Sequence, residues 1–129
     1  MEGVMINLDP NKTINLSIIK FLNQRVDILK KDKVISEANK FANLIITNGL
    51  IPTLAYYESK SENNIEVNEF YKKIILAFFK EKFKVDENKI FDFLLNKNPS
   101  ELLFITNFML YFANYLKYFI KDKENDKNN

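Results

Sequence analysis

Hydrophobic residues recur along most of this chain with the three-to-four-residue spacing of amphipathic helices. Residues 14–31 form the first predicted helix, with apolar and polar side chains on opposite faces. Arg25 is the exception, because the helical period places it near the middle of the apolar face. A charge in that position needs a partner, so we expect it to be paired at the rim of the core or to reach past that rim.

A second helix is predicted for residues 34–47, and the residues after it allow two interpretations. Asn48 and Gly49 stand between two apolar runs, as in the turn of a β-hairpin. The helical period continues up to Asn48, however, and Pro52 would interrupt a second strand. We therefore predict that Gly49 ends the helix in a left-handed conformation. Pro52 is then expected in the first turn of a third helix, residues 51–61.

Three further helices follow in the pattern. A polar loop over residues 61–66 precedes the fourth, which ends in the cationic stretch KEKFK. Asp86 is predicted to cap a short fifth helix over residues 87–97. The sequence NPSE then predicts the start of the sixth helix, with Asn98 as the N-cap and Glu101 completing a capping box.

Composition supports a helical fold. The chain has two glycines and three prolines, too few for the frequent turns of an all-β domain. We therefore predict an all-α bundle of about six helices that forms a single domain, residues 1–121. The charged residues 122–129 have nothing to bury and are expected to form a disordered tail.

The residue types that are missing restrict the chemistry. The chain has no Cys and no His, which removes the common zinc ligands, the Cys nucleophile and the Ser-His-Asp triad. It contains no glycine-rich phosphate loop and no carboxylate set with metal-ligand spacing. We therefore expect no catalytic residue, no metal and no cofactor. The absence of cysteine also fits a reducing cytosol.

Charge and aromatic content leave a binding role open. Residues 1–60 carry eight basic and six acidic side chains, whereas residues 61–129 carry eleven of each. A surface for a polyanion is therefore expected in the first half, although a solvated lysine-rich face is the plainer interpretation. Most of the 12 Phe and 6 Tyr fall on apolar helical stripes. Tyr56 and Tyr57 must point apart, which leaves one of them available to stack on a base.

One stretch carries a family resemblance. The sequence NLIITNGLIPTLAYYESK resembles the signature of the small subunit of type III-B CRISPR effector complexes. Its matching elements are Asn48-Gly49-Leu50, Thr53-Leu54-Ala55-Tyr56 and Ser59-Lys60. In the last helix, Tyr115-Leu116-Lys117 is similar to the aromatic-Leu-Lys run that closes the family's final helix. Arg25 lies about where the family places an N-terminal arginine, and the resemblance covers most of residues 14–121.

This resemblance implies an all-helical, non-catalytic subunit that acts in the cytoplasm in antiviral defence. Several copies would stack into a filament beside the backbone subunits that carry the guide RNA. The filament would abut the large subunit at one end and help to hold the target RNA in its duplex with the guide. No membrane is implied as a partner.

The resemblance also ranks the residues expected to contact RNA. Lys60 and Lys117 come first because they stand in matching motifs, and Arg25 would share a structural and an RNA-binding role. Four more cations follow on charge position alone: Lys20, Lys30, Lys31 and Lys40. Lysine and arginine would contact phosphates without reading sequence. Gly49, Leu50 and Leu54 are expected to set the angle between the second and third helices and so to position Lys60, and Asn48 and Pro52 complete this structural motif.

Other interpretations stay open from the sequence. The small subunit of type III-A complexes belongs to the same functional class. A helical adaptor that binds only protein, or an interfacial membrane protein that uses the Phe-rich last helix, belongs to a different one. Residues 102–120 come closest to a membrane span, but their polar side chains share one helix face, which indicates a buried helix with one wet edge.

Overall fold

The chain is mostly helical in the part that the structure, a computed structural model, describes: the backbone of residues 10–128 and the side chains of residues 16–120. The helices are α1 (Pro10–Asn23), α2 (Val26–Leu29), α3 (Asp32–Asn48), α4 (Leu50–Ser61), α5 (the consecutive segments Ile65–Asn68, Glu69–Leu76 and Ala77–Phe83), α6 (Ile90–Leu95) and α7 (Pro99–Asn128). A 3₁₀ turn, Glu87–Lys89, leads into α6. No strand occurs in this part of the chain, so the predicted all-α bundle of about six helices is confirmed.

The single helix predicted over residues 14–31 is wrong, because the chain turns at Arg25 between α1 and α2. Arg25 has φ −122° and ψ 25°, outside the helical region. Its backbone N–H donates to the carbonyl of Leu22 at 3.0 Å, three residues back instead of four. The carbonyl of Phe21 is therefore left for the Arg25 guanidinium, which donates to it at 3.1 Å. After this turn, Leu29 is fully buried in the core.

Helices α3 and α4 meet at Gly49, as predicted. Gly49 has φ 92° and ψ 164°, a conformation that residues with a Cβ rarely adopt. Its N–H closes the last turn of α3, and its carbonyl accepts from the N–H of Thr53 at 3.2 Å in the first turn of α4. Pro52 lies in that first turn. Leu50 and Leu54 are buried, so packing fixes the angle of this corner.

The middle of α5 is a π-helix, which the hydrophobic pattern does not predict. Five of the eight residues in Glu69–Leu76 are buried: Phe70, Tyr71, Ile74, Ile75 and Leu76. At the α-helical rotation of about 100° per residue, these five side chains would spread over roughly 240° of the helix circumference. A π-helix bonds each residue to the fifth along the chain and so rotates less per residue. This brings the five apolar side chains toward one side.

The start of α7 has the predicted capping box. The N–H of Glu101 donates to Asn98 Oδ1 at 2.8 Å, and the N–H of Asn98 donates to Glu101 Oε1 at 3.0 Å. The predicted cap at Asp86 is wrong, because the Asp86 side chain makes no capping hydrogen bond. Its carbonyl instead accepts from the N–H of Lys89 at 2.9 Å, which forms the 3₁₀ turn and shortens the helix that follows.

The two ends of the chain are described only in part. Helix α7 runs to Asn128, but the side chains beyond Ile120 lie outside the described residues. The domain boundary at residue 121 and the disordered tail at residues 122–129 therefore stay predictions. Residues 1–9 also lie outside the described part.

Aromatic rings pack α1, α5 and α7 together. The rings of Phe78 and Phe112 stack with centroids 3.8 Å apart, and Phe21 meets both edge-on at 5.2 and 6.0 Å. Toward the end of α5, Phe83 meets Phe108 at 5.5 Å. As residue numbers rise along α5 they fall along α7, so these two helices are antiparallel.

Candidate nucleic-acid interface

Three lysines converge on one buried carboxylate between the first turns of α3 and the last turn of α4, at the end of this helix pair away from Gly49. Oε2 of Glu37 lies 3.2 Å from the ammonium of Lys40, 3.5 Å from that of Lys33 and 3.8 Å from that of Lys60. Lys33 and Lys40 flank Glu37 by one turn on α3, whereas Lys60 reaches it from α4. We call these four residues the Glu37 cluster. Three cations around one anion leave two positive charges in excess.

The carboxyl of Glu37 is buried and ionised. Its side chain has no exposed surface. Burial opposes ionisation, but the hydrogen bond and charge of Lys40 and the charge of Lys60 outweigh it and hold the pKa of Glu37 below its usual value. The side chains of Lys33, Lys40 and Lys60 keep 32, 47 and 32% of their surface exposed. The cluster therefore holds its ammonium groups at the surface around a buried anion.

Tyr56 orients the lysine that the sequence motif singles out. As expected for adjacent helical residues, Tyr56 and Tyr57 point apart: Tyr56 is 42% exposed and Tyr57 is fully buried. The ammonium of Lys60 donates to the Tyr56 hydroxyl at 2.8 Å and lies 5.2 Å from the centre of its ring. This hydrogen bond raises the pKa of Lys60, so the side chain carries its charge at neutral pH.

Tyr57 fixes α4 against its neighbours. Its ring lies 6.0 Å from that of Phe41 on α3 and 5.5 Å from that of Phe70 on α5. Its hydroxyl and Oε1 of Glu37 are both buried and make no direct hydrogen bond within the described part of the chain. Burial and the charge of Glu37 raise the pKa of Tyr57. Packing of this ring holds Lys60 beside α3.

Arg25 makes structural contacts. Its guanidinium carbon lies 3.6 Å from the centre of the Phe21 ring, and one guanidinium nitrogen donates to the carbonyl of Phe21. Nε donates to the carbonyl of Lys73, in the π-helical segment of α5, at 3.1 Å. The charge is thus held at the rim of the core, one of the two expectations for this residue, and its role toward RNA stays a prediction.

Lys31 is the other predicted cation that reaches α5. Its ammonium lies 2.7 Å from Glu69, which also meets Lys73 at 3.7 Å. Together with the bond from Arg25 to the Lys73 carbonyl, this forms a second group of charges, on the first turns of the π-helical segment. In this second group, the carboxylate of Glu69 pairs with both Lys31 and Lys73.

The remaining predicted cations stand apart from both groups. Lys20 on α1 and Lys30 after α2 are exposed, and Lys117 on α7 is partly buried. None of the three makes an ion pair with another described residue. The structure thus brings Lys40 and Lys60 together, joins Arg25 and Lys31 to α5, and leaves these three separate.

Lys33 completes the Glu37 cluster, and sequence reasoning missed it. The signal was present, because Glu37 falls on the apolar stripe of α3 beside Ala38 and Phe41. A carboxylate on an apolar stripe needs cationic partners. Lysines at positions four before and three after it are the residues that a helix can supply.

The described residues offer neither a metal site nor a membrane span. No group of three or more acidic side chains among them could hold a metal ion. No helix in that part of the chain is both long and apolar enough to cross a membrane.

The fold and the cluster define a small all-α protein whose candidate site is cationic. The family model described as CRISPR-associated protein (Cas_Cmr5) matches residues 17–122, which is most of the chain. The chain belongs to this family and is a subunit of the type III-B CRISPR complex, Cmr. No curated protein and no solved structure matches it significantly.

Proposed function

We propose that this protein is the non-catalytic small subunit of the type III-B effector complex and that it helps to hold the target RNA paired with the guide. Copies of the subunit stack in a filament beside the backbone subunits and end at the large subunit, in the cytoplasm. The family match and the all-α fold support the assignment to this complex. The sequence motif at residues 48–60 supports the role within it.

The observation that carries the RNA-binding part is the excess positive charge of the Glu37 cluster. Lys60, the lysine of the family-like motif, belongs to this cluster and is oriented by Tyr56. A buried anion gathers the lysines at one place and neutralises only one of their three charges. Phosphate oxygens approaching from solvent would meet several ammonium groups within one small area.

Such contacts are independent of base sequence. Each phosphate that a lysine neutralises releases condensed counterions, and this release drives binding. One subunit with a net charge of +2 would hold RNA weakly. Several stacked subunits would present the same cluster repeatedly along one strand, so that each further contact is intramolecular.

The test removes two charges of the cluster without reversing them. A Lys40→Gln/Lys60→Gln variant is assembled with the other Cmr subunits and guide RNA, and target-RNA affinity is measured across a salt series. We expect weaker retention of the target RNA. The logarithm of the binding constant should also depend less steeply on the logarithm of the salt concentration, with a slope smaller in magnitude by about 0.7–0.9 for each phosphate that is no longer neutralised. Lys80→Gln is the matched control, since Lys80 is exposed and makes no ion pair with another described residue.

The result that would refute the RNA contact is a variant complex that assembles and keeps the wild-type affinity and slope. Failure to enter the complex by a variant that circular dichroism shows to be folded would instead assign the cluster to a subunit interface, and that too would overturn the RNA contact. A Lys117→Glu variant, measured in the same way, tests the second motif lysine separately. Arg25 is unsuited to this test, because its contacts are structural.

A further inference from the structure

Tyr56 presents an aromatic ring to solvent beside the Glu37 cluster. It is 42% exposed, whereas the adjacent Tyr57 and the rings that Tyr57 meets, Phe41, Phe70 and Tyr71, are fully buried. The phosphate contact proposed above uses only the hydroxyl of Tyr56, which accepts a hydrogen bond from a lysine of the cluster. That contact leaves the exposed ring without a role.

The ammonium of Lys60 lies at the hydroxyl end of this ring and does not cover its face. It is 2.8 Å from the Tyr56 hydroxyl but 5.2 Å from the ring centre. A cation that does cover a ring lies closer, as the guanidinium carbon of Arg25 does at 3.6 Å from the centre of the Phe21 ring. The lysine therefore leaves the faces of the Tyr56 ring clear.

Two contacts hold the Tyr56 ring in one orientation. Its hydroxyl is bonded to Lys60, and the ring of Tyr57 meets it with centroids 5.1 Å apart and planes at 76°. This is an edge contact and not a stack. A ring that is already held in place loses little rotamer freedom when a flat ligand stacks on it.

An aromatic face beside an excess of positive charge suits single-stranded nucleic acid. Bases of any identity stack on aromatic rings, while lysines contact the phosphates of the same strand. A base inside a duplex is already stacked on its neighbours, so a protein ring takes bases that are unpaired and splayed out. The Glu37 cluster supplies the positive charge, because its three lysines surround a single carboxylate.

We propose that Tyr56 is a stacking platform for an unpaired base of the target RNA, and that the phosphate of this nucleotide contacts Lys60 in the Glu37 cluster. The inference rests on the proposed function, since it uses the same cluster, and adds the kind of nucleotide that the site takes. The subunit then contacts the target strand at a nucleotide whose base is not paired with the guide. Stacking tolerates every base, so the site selects unpaired nucleotides without selecting sequence.

The first test compares Tyr56→Leu with Tyr56→Phe. Both variants lose the hydroxyl that orients Lys60, but only Tyr56→Leu loses the aromatic ring. Each variant is assembled with the other Cmr subunits and guide RNA, and its affinity for target RNA is measured. We expect Tyr56→Leu to bind the target at least about fivefold more weakly than Tyr56→Phe, which is the contribution of one stacked base.

The second test locates the stacked base by photocrosslinking. Target RNAs carry 5-iodouridine at one position at a time, because this base crosslinks on irradiation to an aromatic ring that it contacts. We expect a crosslink to residue 56 in wild type and in Tyr56→Phe, and none in Tyr56→Leu. An abasic nucleotide at the crosslinked position keeps the phosphate. It should weaken binding to wild type by the same factor as Tyr56→Leu and have no further effect on that variant.

Three results would each overturn the stacking: equal affinities of the Tyr56→Phe and Tyr56→Leu complexes, no crosslink to residue 56 at any position, or full affinity of wild type for the abasic target. A Tyr56→Leu variant that is folded by circular dichroism but does not enter the complex would assign the ring to a subunit interface, and would overturn it too. The phosphate contact is tested separately by the Lys40→Gln/Lys60→Gln variant, which keeps the ring. Failure of the stacking can therefore be told from failure of the proposed function.

Discussion

Replacing Glu37 with Gln tests the electrostatic account of the cluster. The substitution keeps the side-chain volume but leaves Lys33, Lys40 and Lys60 without their common anion. The substitution has two opposing effects on stability. A neutral amide avoids the cost of burying a carboxylate, which stabilises the fold, whereas the loss of the ion pairs to the three lysines destabilises it. The lowered pKa of Glu37 shows that the lysines outweigh burial, so the change should destabilise the fold.

The magnitude follows from the exposure of the three partners. The three lysines are 32–47% exposed, so solvent screens their pairs with Glu37. With about 0.2–1 kcal/mol from each exposed ion pair, the three together stabilise the fold by about 0.6–3 kcal/mol. Gln recovers part of this with its own carbonyl oxygen, which can still accept a hydrogen bond from Lys40. We therefore expect the free energy of unfolding at pH 7 to fall by about 1–2 kcal/mol.

The dependence on pH has a definite sign. The pKa of Glu37 is lower in the folded protein than in the unfolded chain, so its stabilisation is present above the unfolded value of about 4.3 and is lost as the pH falls through the folded pKa. The difference between wild type and Glu37→Gln should therefore be largest at pH 7 and disappear in acid. Urea unfolding followed by circular dichroism, in steps from pH 7 to pH 3, measures it.

The control for this series is Glu62→Gln, an exposed glutamate with no ion pair to another described residue. Its free energy of unfolding should stay close to that of wild type at every pH. A Glu37→Gln protein that is as stable as wild type at pH 7, or more stable, would show that burial outweighs the lysines. A difference that persists unchanged at pH 3 would show that the loss has nothing to do with the charge of Glu37.

Three other substitutions test the backbone of the fold, each by urea unfolding. Gly49→Ala should lower the free energy of unfolding by about 1–3 kcal/mol through backbone strain. A steric clash adds nothing to this, because the nearest neighbour of the new Cβ would be Pro52 Cδ at an ordinary 3.6 Å. An unchanged stability would contradict the positive φ. Arg25→Lys should lower the free energy of unfolding by about 1–2 kcal/mol, because an ammonium cannot both cover Phe21 and bond two carbonyls. A free energy of unfolding equal to that of wild type would show that Arg25 has no structural role. Asn98→Ala should cost about 1 kcal/mol by opening the capping box, and equal helix content and stability would count against it.

Some features of this protein could be predicted from the sequence because their causes are local. The stop at Gly49 depends on a helical period that ends there and on a proline three residues later. The capping box at Asn98 needs only two side chains three residues apart. The lack of Cys and His is a property of composition alone.

Other features could not be predicted, because their causes lie between helices. The turn at Arg25 depends on the carbonyl of Lys73, 48 residues away, and the helical period continues through that position unchanged. The π-helical segment of α5 is likewise set by the core it faces, since an α-helix would place Phe70, Tyr71 and Ile74 on one face and the burial of Ile75 and Leu76 on the same side depends on that core.

The candidate site also has some features with local causes and others with causes that lie between helices. The sequence by itself determined which lysines exist, that Tyr56 and Tyr57 point apart, and that a corner follows α3. Only the tertiary structure decided that Lys60 returns to meet Lys33 and Lys40, because α4 folds back on α3 and buries Glu37 between them. Burial removes water from the carboxylate, and within the described part of the chain the three lysines are the charges that compensate for this loss.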